Sequence, residues 1–230
     1  MTRAFALLAG LAFVASAAAQ TGPSGERATL VDNASVIVER FHLPAGAVQR
    51  LAGGLEPALI VQLTQGDIDL TIGSQRASGP REAGSIAFVP PRTPQSARNI
   101  AQRGATDVGV IRFRPGRTPA PSMPEVPGAG APGVGNDAPP GITRTPLLDN
   151  AETRVVRVQF SPEGREPVHT HPYDLITLQI SSGRVEILDG DAKSTENREP
   201  GFTKFVPRDR QHAYASADAK PFEILSVAIK

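Results

Sequence analysis

Three of the four histidines in this 230-residue chain lie in its last third, with His169 and His171 in one short stretch and His212 further along. His169 and His171 are two residues apart in a segment whose pattern predicts a strand, where residues i and i+2 face the same side. His212 follows a second strand-like run, 202–206, that ends at Pro207. Three neutral imidazoles that converge inside a β-barrel suit a divalent metal. The sequence therefore predicts a metal site, with ordinary core or surface histidines as the alternative.

The spacing around these histidines resembles two motifs of the cupin superfamily, over the last third of the chain. The first motif corresponds to Gly164, His169, His171 and Gly183, and the second to Gly201, Pro207 and His212. Asp209 and Ser216 stand where the second motif has Gly and Asn. The resemblance implies a small double-stranded β-helix barrel whose interior holds the metal.

The glutamate of the first cupin motif is missing from its usual place, three or four residues after His171. Asp174 stands at the near edge of that window and is the candidate fourth metal ligand. The alternative is that Asp174 only shapes the turn after Pro172 and Tyr173.

Tyr214 is the candidate catalytic residue, because it lies two residues after His212 and would share the ligand face of a continuing strand. A phenol beside a metal can act as an acid or a base. The alternative is an amphipathic tyrosine at the barrel mouth. Two charged segments flank the motifs. Residues 165–166 are expected to form a solvated rim, with an ion pair at the barrel mouth as the alternative. Residues 208–210 are expected to form a solvated charged turn, with attraction of an anionic substrate as the alternative.

The chain is interpreted as an internal duplication. Gln62 recurs as Gln179, Gly66 as Gly183 and Pro90 as Pro207, each 117 residues later. The same offset maps the four candidate ligands onto Ala52, Gly54, Pro57 and Gln95, so the first copy is expected to keep the scaffold without the metal ligands.

Short alternating strands bounded by glycines favour an all-β fold, and no segment after the N-terminal run predicts a helix. The expected architecture is two tandem cupin-like double-stranded β-helix barrels. Residues 28–114 form a barrel without ligands, and residues 144–230 form the barrel with the metal site. The linker, 115–143, is rich in Pro and Gly.

The N-terminus, 1–19, has the basic start, apolar run and small residues of a cleaved signal peptide, which predicts a periplasmic or secreted protein. No later run is long enough for a membrane span. Cleavage of this segment would remove Arg3 and leave equal numbers of basic and acidic residues. A protein without a basic excess is not expected to bind nucleic acid. The absence of cysteine excludes thiolate ligands and a cysteine nucleophile.

These observations predict an exported cupin-domain protein that binds a divalent metal (Mn, Fe, Ni, Cu or Zn) in its C-terminal barrel. The resemblance favours a metal-dependent oxidoreductase, decarboxylase or isomerase acting on a small oxygen-rich substrate. The alternative is a non-catalytic protein that binds a small ligand or has a structural role. Pairing of barrel edges would make a homodimer.

Overall fold

The computed structural model describes residues 24–52, 54–116 and 139–230. The predicted signal peptide and most of the predicted linker lie outside these residues. Within them, all seventeen regular elements are β-strands, so the all-β prediction is confirmed. A search of the same residues finds no apolar helix of membrane-spanning length.

Residues 26–113 form two antiparallel sheets. The first sheet has the strand order β1 (Glu26–Asp32), β2 (Val36–Leu43), β9 (Thr106–Phe113), β4 (Ala58–Gln62) and β7 (Ile86–Val89). The second has the order β3 (Val48–Ala52), β8 (Gln95–Asn99), β5 (Gly66–Ile72) and β6 (Gln75–Arg81). Buried side chains of both sheets, among them Phe41, Ile68 and Val110, pack into one core.

Residues 142–229 repeat this arrangement. One sheet has the order β10 (Ile142–Asp149), β11 (Thr153–Phe160), β17 (Phe222–Ile229), β12 (Asp174–Gln179) and β15 (Thr203–Val206). The other has the order β14 (Ala192–Arg198), β13 (Gly183–Asp189) and β16 (His212–Ser216). Phe160, Val185 and Phe222 belong to the core between them.

Several strands of the first half recur in the second half at a constant offset. β5, β6, β7 and β8 recur 117 residues later as β13, β14, β15 and β16, with the same lengths. β3 has no counterpart strand, because the equivalent segment makes only two isolated bridges, at Arg165 and His169. The prediction of a strand at His169 and His171 is therefore wrong, since this irregular segment pairs only at single residues.

The two five-stranded sheets pack against each other through a third apolar cluster. It includes Val38, Leu59 and Ile111 from the first half and Ile176 and Leu225 from the second, all fully buried or nearly so. Each such side chain contributes about 1.5–3 kcal/mol by leaving water. The face that supports β12, next to the histidine motif, is therefore built by both halves.

One glycine, Gly84, allows a close contact across this interface, and its counterpart Gly201 lies at an ordinary contact distance. A Cβ on Gly84 would lie 2.6 Å from the Arg157 side chain, and one on Gly201 would lie 3.8 Å from that of Arg40. Arg40 and Arg157 are 117 residues apart, as are Gly84 and Gly201, so the contacts are reciprocal.

Asp209 has a positive φ of 60°, in the left-handed region that favours glycine. Arg92, its counterpart in the first half, has the same φ. The loop therefore needs this conformation in both halves, which explains why a glycine stands here in the cupin motif that Asp209 departs from.

We predict that Asp209→Gly keeps or raises the stability of the fold, whereas Asp209→Val lowers the free energy of unfolding by about 1–2 kcal/mol. A β-branched residue resists the left-handed conformation, and glycine accepts it. Urea unfolding checks this, with Gln211→Val in the same loop as the matched control. Equal losses for Asp209→Val and Gln211→Val would contradict the assignment of strain to this position.

Candidate metal centre

A pair of backbone hydrogen bonds places two of the histidines opposite each other. His169 N–H donates to the His212 carbonyl at 3.0 Å, and His212 N–H donates to the His169 carbonyl at 3.0 Å. Residues opposite each other in an antiparallel pair project to the same face. The two imidazoles therefore emerge side by side into the barrel of the second half.

The three imidazoles form one compact cluster. The ring centroid of His169 lies 4.6 Å from that of His171 and 4.6 Å from that of His212. The ring centroids of His171 and His212 are 5.0 Å apart. One nitrogen from each ring lies within 4.8 Å of the others. Among the described residues, no other group of three or more His, Cys, Asp or Glu side chains is placed to hold an ion.

Backbone carbonyls fix the tautomer of two rings. His169 Nδ1 lies 2.8 Å from the Pro167 carbonyl, and His212 Nδ1 lies 3.0 Å from the Arg210 carbonyl. A carbonyl only accepts, so each Nδ1 carries the proton and each Nε2 keeps its lone pair. Such contacts are the usual way in which a protein orients a metal-binding histidine.

Burial lowers the pKa of two histidines of the cluster, His171 and His212. It lowers the pKa of His171 to about 3, and His169, His212 and Arg144 act in the same direction through their charges. Burial also lowers the pKa of His212, although the hydrogen bond to the Arg210 carbonyl opposes that effect. Neutral imidazole is the form that binds metals.

These properties fit a divalent metal. His169 Nε2 and His171 Nε2 are 2.9 Å apart, a separation that one ion with metal–nitrogen bonds of about 2.1 Å can span. The donors are neutral nitrogen atoms, which suit Mn, Fe, Ni, Cu or Zn. His169, His171 and His212 would hold the ion.

Glu166 belongs to the same interior face, contrary to the expectation of a solvated rim. Arg165 bridges to Ala215 and His169 bridges to His212, so one strand has an extra residue between the two bridges. This bulge reverses the alternation, and Glu166 N–H donates to the Tyr214 carbonyl at 2.9 Å. Glu166 is buried, with 8% of its surface exposed.

Arg144 neutralises Glu166 inside the protein. Its Nη2 lies 2.7 Å from Glu166 Oε1, and both side chains are less than a tenth exposed. The counterparts in the first half are Arg27 and Gln49, which lack the carboxylate. The buried ion pair therefore accompanies the histidines and is absent from the other half. Sequence patterns alone miss it, because the bulge that turns Glu166 inward has no local signal.

Tyr214 lies beneath the cluster with its ring centroid 5.7 Å from that of His212. The side chain is buried, and burial raises the pKa of its hydroxyl while Arg198 and Thr177 oppose the rise. The Arg198 guanidinium lies 5.3 Å from the ring centroid. Tyr214 therefore shares the face of His212, as predicted, but lies inside the barrel rather than at its mouth, and it stays protonated at neutral pH.

Asp174 lies outside the histidine group. Its Oδ1 accepts the backbone N–H of Arg208 at 2.9 Å, and its Oδ2 accepts the Ser35 hydroxyl at 3.1 Å. Both oxygens thus contact the loop before His212 and the first half of the chain. Ligation of metal by Asp174 stays a prediction, and the observed contacts give it a different task, which is to anchor that loop. The alternative was that Asp174 shapes the turn after Pro172 and Tyr173, and neither of these two hydrogen bonds goes to that turn.

The first half keeps the backbone of this site without its chemistry. Ala52 pairs with Gln95 in the same register as His169 with His212, 117 residues later. Gln95 is buried, and its Oε1 has no hydrogen-bond partner. The scaffold alone therefore does not require histidine at these positions.

Comparison with known proteins identifies the fold. No family model and no curated protein matches the sequence. A cupin 2 conserved barrel domain protein from Leptotrichia buccalis superposes with a TM-score of 0.58 at 11% identity, covering 92% of each chain.

Two enzymes of known structure are also similar. Salicylate 1,2-dioxygenase from Pseudoaminobacter salicylatoxidans, solved with gentisate, has a TM-score of 0.64 at 11% identity, covering 90% of this chain and 75% of its own. Oxalate decarboxylase from Bacillus subtilis, studied for its Mn(II) centres, has a TM-score of 0.63 at 15% identity, covering 92% and 74%. The chain therefore has the cupin fold, as the histidine motifs predicted, and at these identities the likeness establishes the fold alone.

We predict that His212→Ala weakens the binding of Zn²⁺ by roughly 100-fold or more, because loss of even a supporting group costs about 10–100-fold. Gln95→Ala, at the equivalent position of the first half, should leave the affinity unchanged. Titration calorimetry and metal analysis of both variants check this. Equal Zn²⁺ affinity in His212→Ala and the wild type would contradict the metal centre.

We predict that the metal-free protein loses stability as the pH falls from about 6.5 towards 3. The unfolded chain protonates His171 near pH 6.5, whereas the folded protein does so only near pH 3, so acid favours unfolding. The contribution is about 1.4 kcal/mol per pH unit. Urea unfolding should show a shallower pH dependence for His171→Gln, and parallel curves for the two proteins would argue against the buried neutral histidine.

Proposed function

We propose that this chain is an exported metalloprotein of the cupin fold that acts as an enzyme on a small oxygen-rich molecule. The observation that carries the proposal is the cluster of three histidines, two of which have a tautomer fixed by a backbone carbonyl. His169, His171 and His212 would hold a divalent metal through nitrogen atoms, and such a metal would bind the oxygen atoms of a substrate.

The reaction class that we favour is oxidation or decarboxylation, with isomerisation as a further member. The similarity to a dioxygenase and a decarboxylase supports this choice at the level of the fold. A bound divalent metal supplies Lewis acidity for a chelating oxygen substrate. The protein residues position that substrate and exclude water.

We assign Tyr214 the role of a proton donor next to the substrate. Its raised pKa keeps the hydroxyl protonated at neutral pH, and its ring lies beside that of His212. We assign the Arg144–Glu166 pair a supporting role, because the Glu166 charge opposes part of the lowering of the His212 pKa by burial without adding net charge to the interior.

A non-catalytic binding protein is the second candidate. It is favoured by the first half, which keeps the barrel and has neither histidine nor aspartate at the four ligand positions. In that case the second half would hold a ligand through the metal without turnover. The two candidates share the metal and differ in the reaction.

The test uses protein exported through its own leader, so that the native compartment loads the metal. We expect mass spectrometry to give Gln20 as the first residue, and metal analysis to give about one divalent ion per chain. Retention of Met1 in the purified protein would refute the export, and absence of metal would refute the metal centre.

The same preparation decides between an enzyme and a binder. We expect uptake of dioxygen or release of carbon dioxide with one of a panel of small hydroxy, oxo or aromatic acids. Tyr214→Phe should lower turnover by roughly 100-fold, the usual scale of acid–base catalysis, at unchanged metal content. Metal-loaded protein that binds an acid of the panel without consuming it would establish the second candidate.

A further inference from the structure

A turn of the first half contacts the second half close to the histidines. The turn between β1 and β2 carries Ser35, whose hydroxyl donates to Asp174 Oδ2 at 3.1 Å. Asp174 begins β12 of the second half, three residues after His171. Its side chain is 13% exposed, so the carboxylate is largely shielded from water. A hydrogen bond to an ionic group therefore joins the two halves at this point.

The position of the Ser35 hydroxyl is fixed by its own turn. Asn33 Oδ1 accepts the backbone N–H groups of Ser35 at 2.9 Å and of Val36 at 3.0 Å. The Ser35 carbonyl accepts the backbone N–H of Arg114 at 2.9 Å. Both backbone polar groups of Ser35 are thus bonded within the first half, and its hydroxyl is the group that reaches the second half.

Asp174 in turn holds the loop 207–211, which follows β15. Its Oδ1 accepts the backbone N–H of Arg208 at 2.9 Å. Arg208 Nε lies 3.6 Å from the same oxygen. The beginning of the loop is therefore attached to Asp174 by a hydrogen bond and an ion pair.

The same loop contacts two of the candidate ligands. Asp209 N–H donates to the His171 carbonyl at 2.9 Å. The Arg210 carbonyl lies 3.0 Å from His212 Nδ1 and orients that ring. A shift of the loop would therefore move the backbone at His171 and turn the imidazole of His212.

The first half lacks the groups that hold the loop in this way. The counterparts of Asp174 and Arg208, 117 residues earlier, are Pro57 and Pro91. Pro57 has no carboxylate and Pro91 has no backbone N–H, so the equivalent hydrogen bond cannot form. The attachment of the loop through Asp174 therefore belongs to the half that has the histidines.

The turn that presents Ser35 is, by contrast, common to both halves. Asn150 Oδ1 accepts the backbone N–H groups of Glu152 and Thr153, as Asn33 does in the first half. Glu152 stands 117 residues after Ser35, at the same place in the turn. The turn is thus part of the scaffold, and the serine is the feature of the side that faces Asp174.

We propose that Ser35 and Asp174 are positioning residues of the candidate metal centre. Ser35 orients the Asp174 carboxylate, and Asp174 holds the loop that sets the His212 ring and the backbone of His171. The half without ligands thereby contributes to the metal affinity of the other half. The proposal rests on the proposed function, because it requires a metal at the histidines, and it gives Asp174 a role other than ligation.

Amide hydrogen exchange of the metal-free, full-length protein tests the chain of hydrogen bonds. We expect Ser35→Ala to speed exchange of the Arg208 and Asp209 amides about threefold to tenfold, the scale of one hydrogen bond. Arg92 is the control in the same molecule, because its N–H donates to the Gly54 carbonyl at 3.2 Å in the equivalent loop. Unchanged exchange at Arg208 and Asp209 would overturn the proposal.

Titration with Zn²⁺ tests the consequence for the histidines. Ser35→Ala should weaken Zn²⁺ binding by the folded protein about threefold to tenfold, and Ser35→Thr, which keeps a hydroxyl, should restore it. Ser182→Ala is the matched control, because the Ser182 hydroxyl also donates to a carboxylate, that of Glu199, beside the end of β13 away from His212. A loss of stability in Ser35→Ala with unchanged Zn²⁺ affinity would overturn the proposal.

Substitution of Asp174 separates positioning from ligation. Asp174→Asn keeps an oxygen for the Arg208 N–H and gains a donor for the Ser35 hydroxyl, so Zn²⁺ affinity should stay within about threefold of wild type. Asp174→Ala removes both contacts and should weaken binding about tenfold or more. Ser35→Ala should add nothing in that background, because the two residues act through one chain of contacts. Equal losses in Asp174→Asn and Asp174→Ala would make Asp174 a metal ligand and overturn the proposal.

The two kinds of measurement separate this proposal from the proposed function. If the wild type fails to bind Zn²⁺, the metal centre is refuted, and amide exchange still shows whether Ser35 holds the loop. If wild type, Ser35→Ala and Asp174→Ala bind Zn²⁺ equally well, the metal centre stands and the positioning role is refuted.

Discussion

The antiparallel bridge between His169 and His212 is the contact on which the candidate metal centre depends. Its two backbone hydrogen bonds set two imidazoles on one face with no help from their side chains. The carbonyls of Pro167 and Arg210, two residues before each histidine, accept hydrogen bonds from the Nδ1–H groups. Each Nε2 atom therefore keeps its lone pair available for a metal. Backbone geometry thus determines both the position and the tautomer of these ligands, and the side chains supply the chemistry.

Much of the fold and part of the site could be predicted from the sequence. The glycine-bounded strands predicted the all-β fold, because strand alternation is a local property. The grouping of His169, His171 and His212 was also predicted, although His169 and His171 lie outside any regular strand and His169 makes only an isolated bridge. The buried position of Glu166 was not predicted, because the inward orientation of its side chain depends on a bulge that is visible only in the pairing with β16. The orientation of Asp174 depends on Ser35, 139 residues away, and no local pattern encodes such a contact.

Burial explains why the histidine cluster is better suited to binding a divalent metal ion than to binding a proton. A proton shared by imidazoles puts a charge in a desolvated place, which is why the pKa of His171 falls to about 3. A metal brings charge too, but it forms bonds with the lone pairs in return and leaves coordination positions that an anionic ligand can fill.

The first half contributes to the site through support rather than ligands. Ser35 donates to Asp174, and Asp174 accepts the backbone N–H of Arg208, which begins the loop that leads to His212. The apolar cluster between the five-stranded sheets packs Ile176, two residues after Asp174, against side chains of the first half. Substitutions that loosen this interface would therefore displace His212 without changing any of the candidate metal ligands. The first half has no candidate ligand at Ala52 or Gln95, yet the residues on its surface are still constrained. They help to hold the candidate ligands of the second half in place.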